Sequence, residues 1–192
     1  MTRRIVAVLA SAGTDALALA MLEDVVDLVE AMREVDAALA VPAGADDAVR
    51  AVTWPGMPVV EVPAQPTVCD VLDALAVVGA DEAGVVCPDA PDLPALLLGK
   101  LHSALTSAEV AVCASDDGSL VALASRLPAP DWLRQSAATL DAEDVVRRLR
   151  AQAPRRALHV GPGWHRIRGP EDAGRLDPGL EGWDATRAAL GL

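Results

Sequence analysis

Short apolar runs alternate with amphipathic helical patterns through the first two thirds of this chain, and that alternation restricts it to an α/β architecture. The runs fall at residues 5–10, 37–41, 59–62, 83–87 and 110–114. Each has the length and aliphatic character of a buried strand. Between them, helical spacing predicts helices over 15–34, 45–51, 67–78 and 92–105. In the first, Leu19, Leu22, Val25, Val26 and Val29 recur at helical intervals, while Glu23, Asp24, Asp27 and Glu30 take the other faces. Repeated strand–helix–strand units bring successive strands parallel and cover them with helices. After residue 114 the alternation breaks. Asp116-Asp117-Gly118-Ser119 reads as a turn that joins two strands directly, so residues 120–124 return antiparallel. A helix at 141–152, a strand at 157–160, a short helix opened by Pro170 and a last helix at 184–190 complete the reading. The expected fold is a three-layer α/β/α sandwich with a mainly parallel sheet and one antiparallel strand, a single domain over residues 1–192.

Composition narrows the function classes. Hydrophobic residues make up 52% of the chain, yet there is no Phe or Tyr and there are four Trp, so Ala, Val and Leu must fill the core. A net charge of −12, with Lys100 the single lysine, repels nucleic acid and anionic membrane surfaces. Cys69, Cys87 and Cys113 are odd in number and widely spaced, and they read as small buried hydrophobes in a reducing cytoplasm. The N-terminal apolar run reads as a strand rather than a signal peptide, because it passes directly into an acidic amphipathic helix. No stretch of about twenty uncharged apolar residues is present for a membrane span.

Chemistry concentrates at three polar corners, each after an expected strand. The first is Asp89-Ala90-Pro91-Asp92-Leu93, the second is Ser115 to Ser119, and the third runs from Trp164 to Asp172. Asp89 stands at the carboxyl end of a strand, where open α/β sheets place ligands. A carboxylate there can hold Mg²⁺. The competing reading is that Asp89 and Asp92 cap the helix that follows.

Together the three corners resemble the nucleotidyltransferase-like, glycosyltransferase A-type superfamily. The likeness extends to small bacterial glycosyltransferase-like proteins and to the 2-phospho-L-lactate and molybdenum-cofactor guanylyltransferases. Their Asp-x-Pro-x-Leu strand end is matched by Asp89, Pro91 and Leu93. Their Glu-Asp-Gly-Gly turn is matched by Asp116, Asp117, Gly118 and Ser119. The second half of their Asp-x-Asp-Thr-Pro-Glu-Asp-Leu motif is matched by Pro170, Glu171 and Asp172, and a Gln after the third strand corresponds to Gln65. The resemblance implies a glycosyltransferase A-type fold and Mg²⁺-dependent nucleotidyl or glycosyl transfer. Asp89 would be metal ligand and catalytic residue, with Asp117 as its catalytic companion. Gln65, Asp116, Gly118 and Ser119 would lie on the acceptor side, and a nucleotide or other small phosphorylated molecule would be the partner.

Two departures set this chain apart from that pattern. Arg166 and Arg168 stand where the late pair of aspartates belongs, reversing the charge at the metal site. The loop after the first strand offers only Ser11, Gly13 and Thr14 for a phosphate, with no cationic side chain, and Asp15 adds an opposing charge. Three readings follow: a transferase with a degraded site, a non-catalytic binding or assembly protein on the same fold, or a metal-independent binder of small anions using Arg166 and Arg168. His102 is expected at a surface or boundary, His159 packed in its strand, and His165 beside the arginine pair. Trp132, Trp164 and Trp183 are expected to pack, with apolar surface near them serving a homodimer.

Overall fold

The computed structural model describes residues 2–11 and 15–192. Seven strands form one sheet: β1 (Arg4–Leu9), β2 (Asp36–Pro42), β3 (Val59–Val62), β4 (Glu82–Val86), β5 (Val110–Ala114), β6 (Leu120–Arg126) and β7 (Leu158–Val160). Their order across the sheet is β3-β2-β1-β4-β6-β5-β7. β6 is antiparallel to both β4 and β5, and every other pairing is parallel. The Asp116–Ser119 turn therefore does what its composition predicts, returning the chain antiparallel and inserting β6 between β4 and β5. The inner strands are buried almost throughout. Burial on both faces requires a helical layer on each side of the sheet.

The helices are α1 (Ala16–Glu30), α2 (Val68–Val77), α3 (Ala95–Ala104), α4 (Asp131–Ser136), α5 (Val145–Gln152) and α6 (Asp184–Leu190), with 3₁₀ turns at Asp47–Val52 and Pro170–Arg175. Three boundaries differ from expectation, each for a local reason. α1 ends four residues early because the chain must turn to enter β2, whose Asp36 lies beside Ile5. α3 begins at Ala95 rather than 92: Pro94 disfavours helical backbone at Leu93 and itself stands as the extended N-cap. α5 begins at Val145 rather than 141, leaving Asp141 on a loop with other work. The short helix α4 has no counterpart in the periodicity reading.

Two histidine expectations are also corrected. His102 is buried, facing β4 where Gly84 leaves room: a Cβ there would lie 3.4 Å from its Nε2 and 3.1 Å from a Val6 methyl. His159 is exposed on the edge strand. Cys87 and Cys113 are buried and Cys69 is half-buried. Burial pushes the Cys113 thiol up to about 11, so it behaves as a small hydrophobe.

The core divides in two. The larger part is aliphatic and sits around the sheet. The smaller joins Met21 of α1 to Ile167, Leu176 and Trp183 of the C-terminal segment, so Trp183 is spent inside the chain and not on a subunit interface. Asp24, expected on a polar face, is buried beneath α6 and accepts the N–H groups of Ala185 (3.1 Å) and Thr186 (2.7 Å). Among the described residues, no helix is long and apolar enough to cross a membrane.

α2 is held by a capping box. The Thr67 hydroxyl accepts from Asp70 N–H at 3.3 Å, and the Asp70 carboxylate accepts from Thr67 N–H at 2.7 Å. Thr67→Ala removes one half of this reciprocal pair, and chemical denaturation is expected to show a loss of about 1 kcal/mol.

Candidate functional site

Asp89 lies three residues beyond the end of β4, and its side chain meets the segment 164–168 that closes the C-terminal ends of the strands. That segment is stitched in by two backbone bonds, Trp164 N–H to Ala114 C=O (3.0 Å) and Ile167 N–H to Asp89 C=O (2.7 Å). Side chains alternate along extended backbone. Ile167 enters the small apolar core, while Arg166 and Arg168 both reach the acidic corner.

Arg166 is 3% exposed, and its five N–H donors are all engaged. Nε and Nη2 grip the two oxygens of Asp89 at 2.7 and 3.0 Å. Nη2 also donates to Asp141 at 2.8 Å. Nη1 donates to the carbonyls of Leu120 and Leu140, each at 3.1 Å. Arg168, more exposed, lies over this pair. Its Nη1 reaches Asp89 (3.2 Å) and Asp141 (3.1 Å), and its Nη2 reaches Asp117 and Ser119 Oγ, both at 3.1 Å.

The β5–β6 turn presents Asp117 to this network. Gly118 holds φ of +85°, and a Cβ there would lie 2.0 Å from the Glu143 carbonyl oxygen, so no larger residue fits. The Ser119 hydroxyl donates to Asp117, and Ser119 N–H donates to it at 2.9 Å. Burial pushes the Asp117 carboxyl up, but the Ser119 donors and Arg168 outweigh it and hold the group well below the usual carboxylate range.

Asp92 anchors the same segment from beneath. Its fully buried carboxylate receives Trp164 Nε1 (3.1 Å) and Asp177 N–H (2.9 Å) and pairs with His165 Nε2 (3.0 Å). The capping role expected of Asp92 is therefore replaced by a tether across the chain. His165, stacked on Trp164, serves that tether.

Beside the network lies a cleft of about 570 Å³ at the carboxyl ends of β1 to β4. Leu9, Ala10, Pro42, Pro66 and Leu140 supply apolar wall, and Ser11, Gln65, Thr139, Asp141 and Arg168 supply polar groups. Asp15 also faces it and caps α1, accepting Ala18 N–H at 2.9 Å. Ser11 and Gln65 both line the cleft. Gly13 and Thr14 lie outside the described residues. Asp116 pairs with Arg175, Gly118 lies against the Glu143 backbone, and the Ser119 hydroxyl accepts from Arg168.

These residues do not suit a divalent cation. Both oxygens of Asp89 and the nearest carboxylates, Asp117 and Asp141, are already turned onto guanidinium groups. A cation could reach those oxygens only by displacing guanidinium donors already in place. Among the described residues, no cluster of three or more His, Cys, Asp or Glu could hold a metal ion. Asp141 was invisible to sequence reasoning as a partner, because its place beside Asp89 depends on a loop conformation.

The chain superposes along its length on solved structures. It matches a protein of Desulfovibrio desulfuricans G20 assigned to the nucleotide-diphospho-sugar transferases at TM-score 0.69 and 15% identity, over 99% of this chain and 97% of that one. The fold is that of the nucleotide-diphospho-sugar transferases and cytidylyltransferases. CMP:2-keto-3-deoxy-manno-octonic acid synthetase, solved with CTP, matches at TM-score 0.66 and 12% identity over the full length of both chains. Rv0371c of Mycobacterium tuberculosis H37Rv, solved with manganese, matches at 0.62 and 20% identity over 100% of this chain and 99% of that one. No protein-family model matches the chain, and no curated protein does. Within this nucleotidyltransferase-like fold, the expected sheet architecture stands.

Two outcomes test the network. Arg166→Met strands the buried Asp89 carboxylate and two carbonyls, and is expected to cost about 3–5 kcal/mol in denaturant unfolding. Adding Asp89→Asn should recover part of that loss, since the two residues act as one unit. The acid limb of stability should carry the Asp117 contribution. Because its folded pKa is depressed, that contribution is complete above about pH 4, the range of a free carboxylate, and is lost as pH falls toward the folded value. Melting temperature measured from pH 7 downward should fall less steeply in Asp117→Asn.

Proposed function

We propose that this chain is a metal-independent binding protein on the nucleotidyltransferase-like fold, taking a nucleoside-sized ligand in the cleft beside Arg168 and not performing Mg²⁺-dependent transfer. The observation that carries this reading is the Arg166 fork, which fills the position around Asp89 from within the chain. Three carboxylates, Asp89, Asp117 and Asp141, share two guanidiniums, and Asp15 adds a further negative charge at the cleft. A triphosphate without its cation is repelled by that balance. The same engagement argues against small-anion binding, since both arginines already have their counter-charges.

The cleft is large enough for a small organic ligand and combines apolar walls with a few hydrogen-bonding groups, the usual makeup of such sites. The CTP held by the synthetase with the same fold supports a nucleoside as the class of ligand. Gln65 and Thr139 are the neutral side chains suited to read it.

Thermal unfolding with cytidine, CMP and CTP, each with Mg²⁺ or with EDTA, separates the readings. A ligand at about 100 times its Kd stabilises the folded protein by about 2.7 kcal/mol. Cytidine or CMP is expected to raise the melting temperature equally under both conditions, and Gln65→Ala should weaken the effect. A shift that appears with CTP only when Mg²⁺ is added would overturn the metal-independent reading. Absence of a shift with every nucleotide would remove the nucleoside.

A further inference from the structure

The charge of this acidic protein is unevenly distributed, and the exception lies in the stretch of chain between the cleft residues Asp141 and Arg166. Residues 147–156 hold Arg147, Arg148, Arg150, Arg155 and Arg156 and no acidic residue. Arg147 and Arg148 pair with Asp144, each at 3.0 Å. Arg150, Arg155 and Arg156 are exposed and, among the described residues, form no ion pair or hydrogen bond through their side chains. A turn closed by Ala157 N–H on Pro154 C=O sets Arg155 and Arg156 directly before β7.

β7 is the last strand of the sheet and pairs only with β5. Its outer edge is available for a further strand, the site that β-augmenting partners use. Charged side chains keep such an edge from self-pairing. Three arginines without internal counter-charges among the described residues, in a chain of net charge −12, also leave a cluster of positive charge for an acidic partner to meet.

We propose that the β7 edge and its arginine rim dock an extended acidic segment of a partner protein, which adds a strand beside β7 and sets its carboxylates against Arg155 and Arg156, with Arg150 adding to the field of the same basic stretch. A second copy of this chain does not fit the same edge, because β7-to-β7 pairing would oppose two arginine clusters. Nucleic acid fits poorly, because a phosphodiester strand longer than the patch would run onto acidic surface. A short acidic peptide meets the basic rim alone. The surface is independent of the nucleoside reading above.

Fluorescence anisotropy tests this with a labelled peptide of about eight residues alternating Glu and Val, at low salt. Binding to the full chain is expected, weakening as salt rises. The triple variant R150E/R155E/R156E alters only exposed side chains and should keep the wild-type melting temperature while losing affinity about tenfold or more. A Glu–Pro alternating peptide carries the same charge but lacks every second backbone N–H and is held by its proline rings away from strand geometry, and should bind clearly more weakly. No binding of the Glu–Val peptide at about 50 mM salt would overturn the proposal. So would unchanged affinity in the triple variant, equal binding of the Glu–Pro peptide, or tighter binding of an oligothymidylate of the same charge.

Discussion

The fork between Arg166 and Asp89 is the interaction on which the closed end of the sheet depends. Asp89 belongs to the loop after β4, Leu120 to the start of β6, Leu140 and Asp141 to the loop before α5, and Arg166 to the closing segment. One guanidinium therefore holds four pieces of chain in a fixed relation. Removing a carboxylate and a guanidinium from water costs several kcal/mol for each ion, and their attraction returns this only when every remaining donor and acceptor is satisfied. Here the geometry meets that condition on the arginine side. The fork's contribution is best understood as specificity: it defines one arrangement of the loops, whatever its net value in stability.

A fixed guanidinium also changes what the corner can do. A divalent cation exchanges, brings its own water and bridges to a ligand's oxygens. A buried arginine does none of these. It stays charged at every ordinary pH and directs its donors at groups chosen by the chain. Arg168 extends the effect to Asp117 and Asp141, so the acidic groups of the corner answer to internal cations. Asp15 does the equivalent at the start of α1, accepting one of the N–H groups that would otherwise face an anion. The charged groups at both ends of the cleft are thus engaged from within, which favours a ligand recognised by shape and hydrogen bonds.

Much of this was legible in the sequence, for identifiable reasons. Buried parallel strands such as residues 83–87 are continuous apolar runs, and the Asp-Gly turn at 117–118 announces a hairpin. The motif resemblance singled out Arg166 and Arg168, and the structure brings both to the acidic corner around Asp89. What could not be read was the partner set. Asp141 sits 52 residues from Asp89 in sequence and joins it only because the 139–141 loop is not helical. Asp92 looked like a cap because it precedes a helix, yet Pro94 delays that helix and frees the carboxylate for Trp164 and His165. His102, inside the helix after Asp89, was expected at a surface or boundary, and the space that buries it is made by Gly84 on a different element. Local pattern identifies elements; contacts between distant segments decide which side chains share a site.

The tether at Asp92 explains why the arginines arrive in the right register. Along extended backbone, a slip of one residue exchanges the two faces. Such a slip in residues 164–168 would carry Ile167 into the carboxylates and drive guanidiniums toward Met21, Leu176 and Trp183. Both halves of that outcome are costly, since apolar surface would face charge and unpaired cations would enter an apolar cluster. The two backbone bonds of Trp164 and Ile167 alone do not forbid it, because any residue can make them. The Trp164 and His165 side chains do, because only in the observed register do both reach Asp92 while Asp177 N–H closes the same carboxylate. The buried aspartate thus acts at a distance from the cleft: it fixes which side of the closing segment is charged, and the fork at Asp89 follows from that choice.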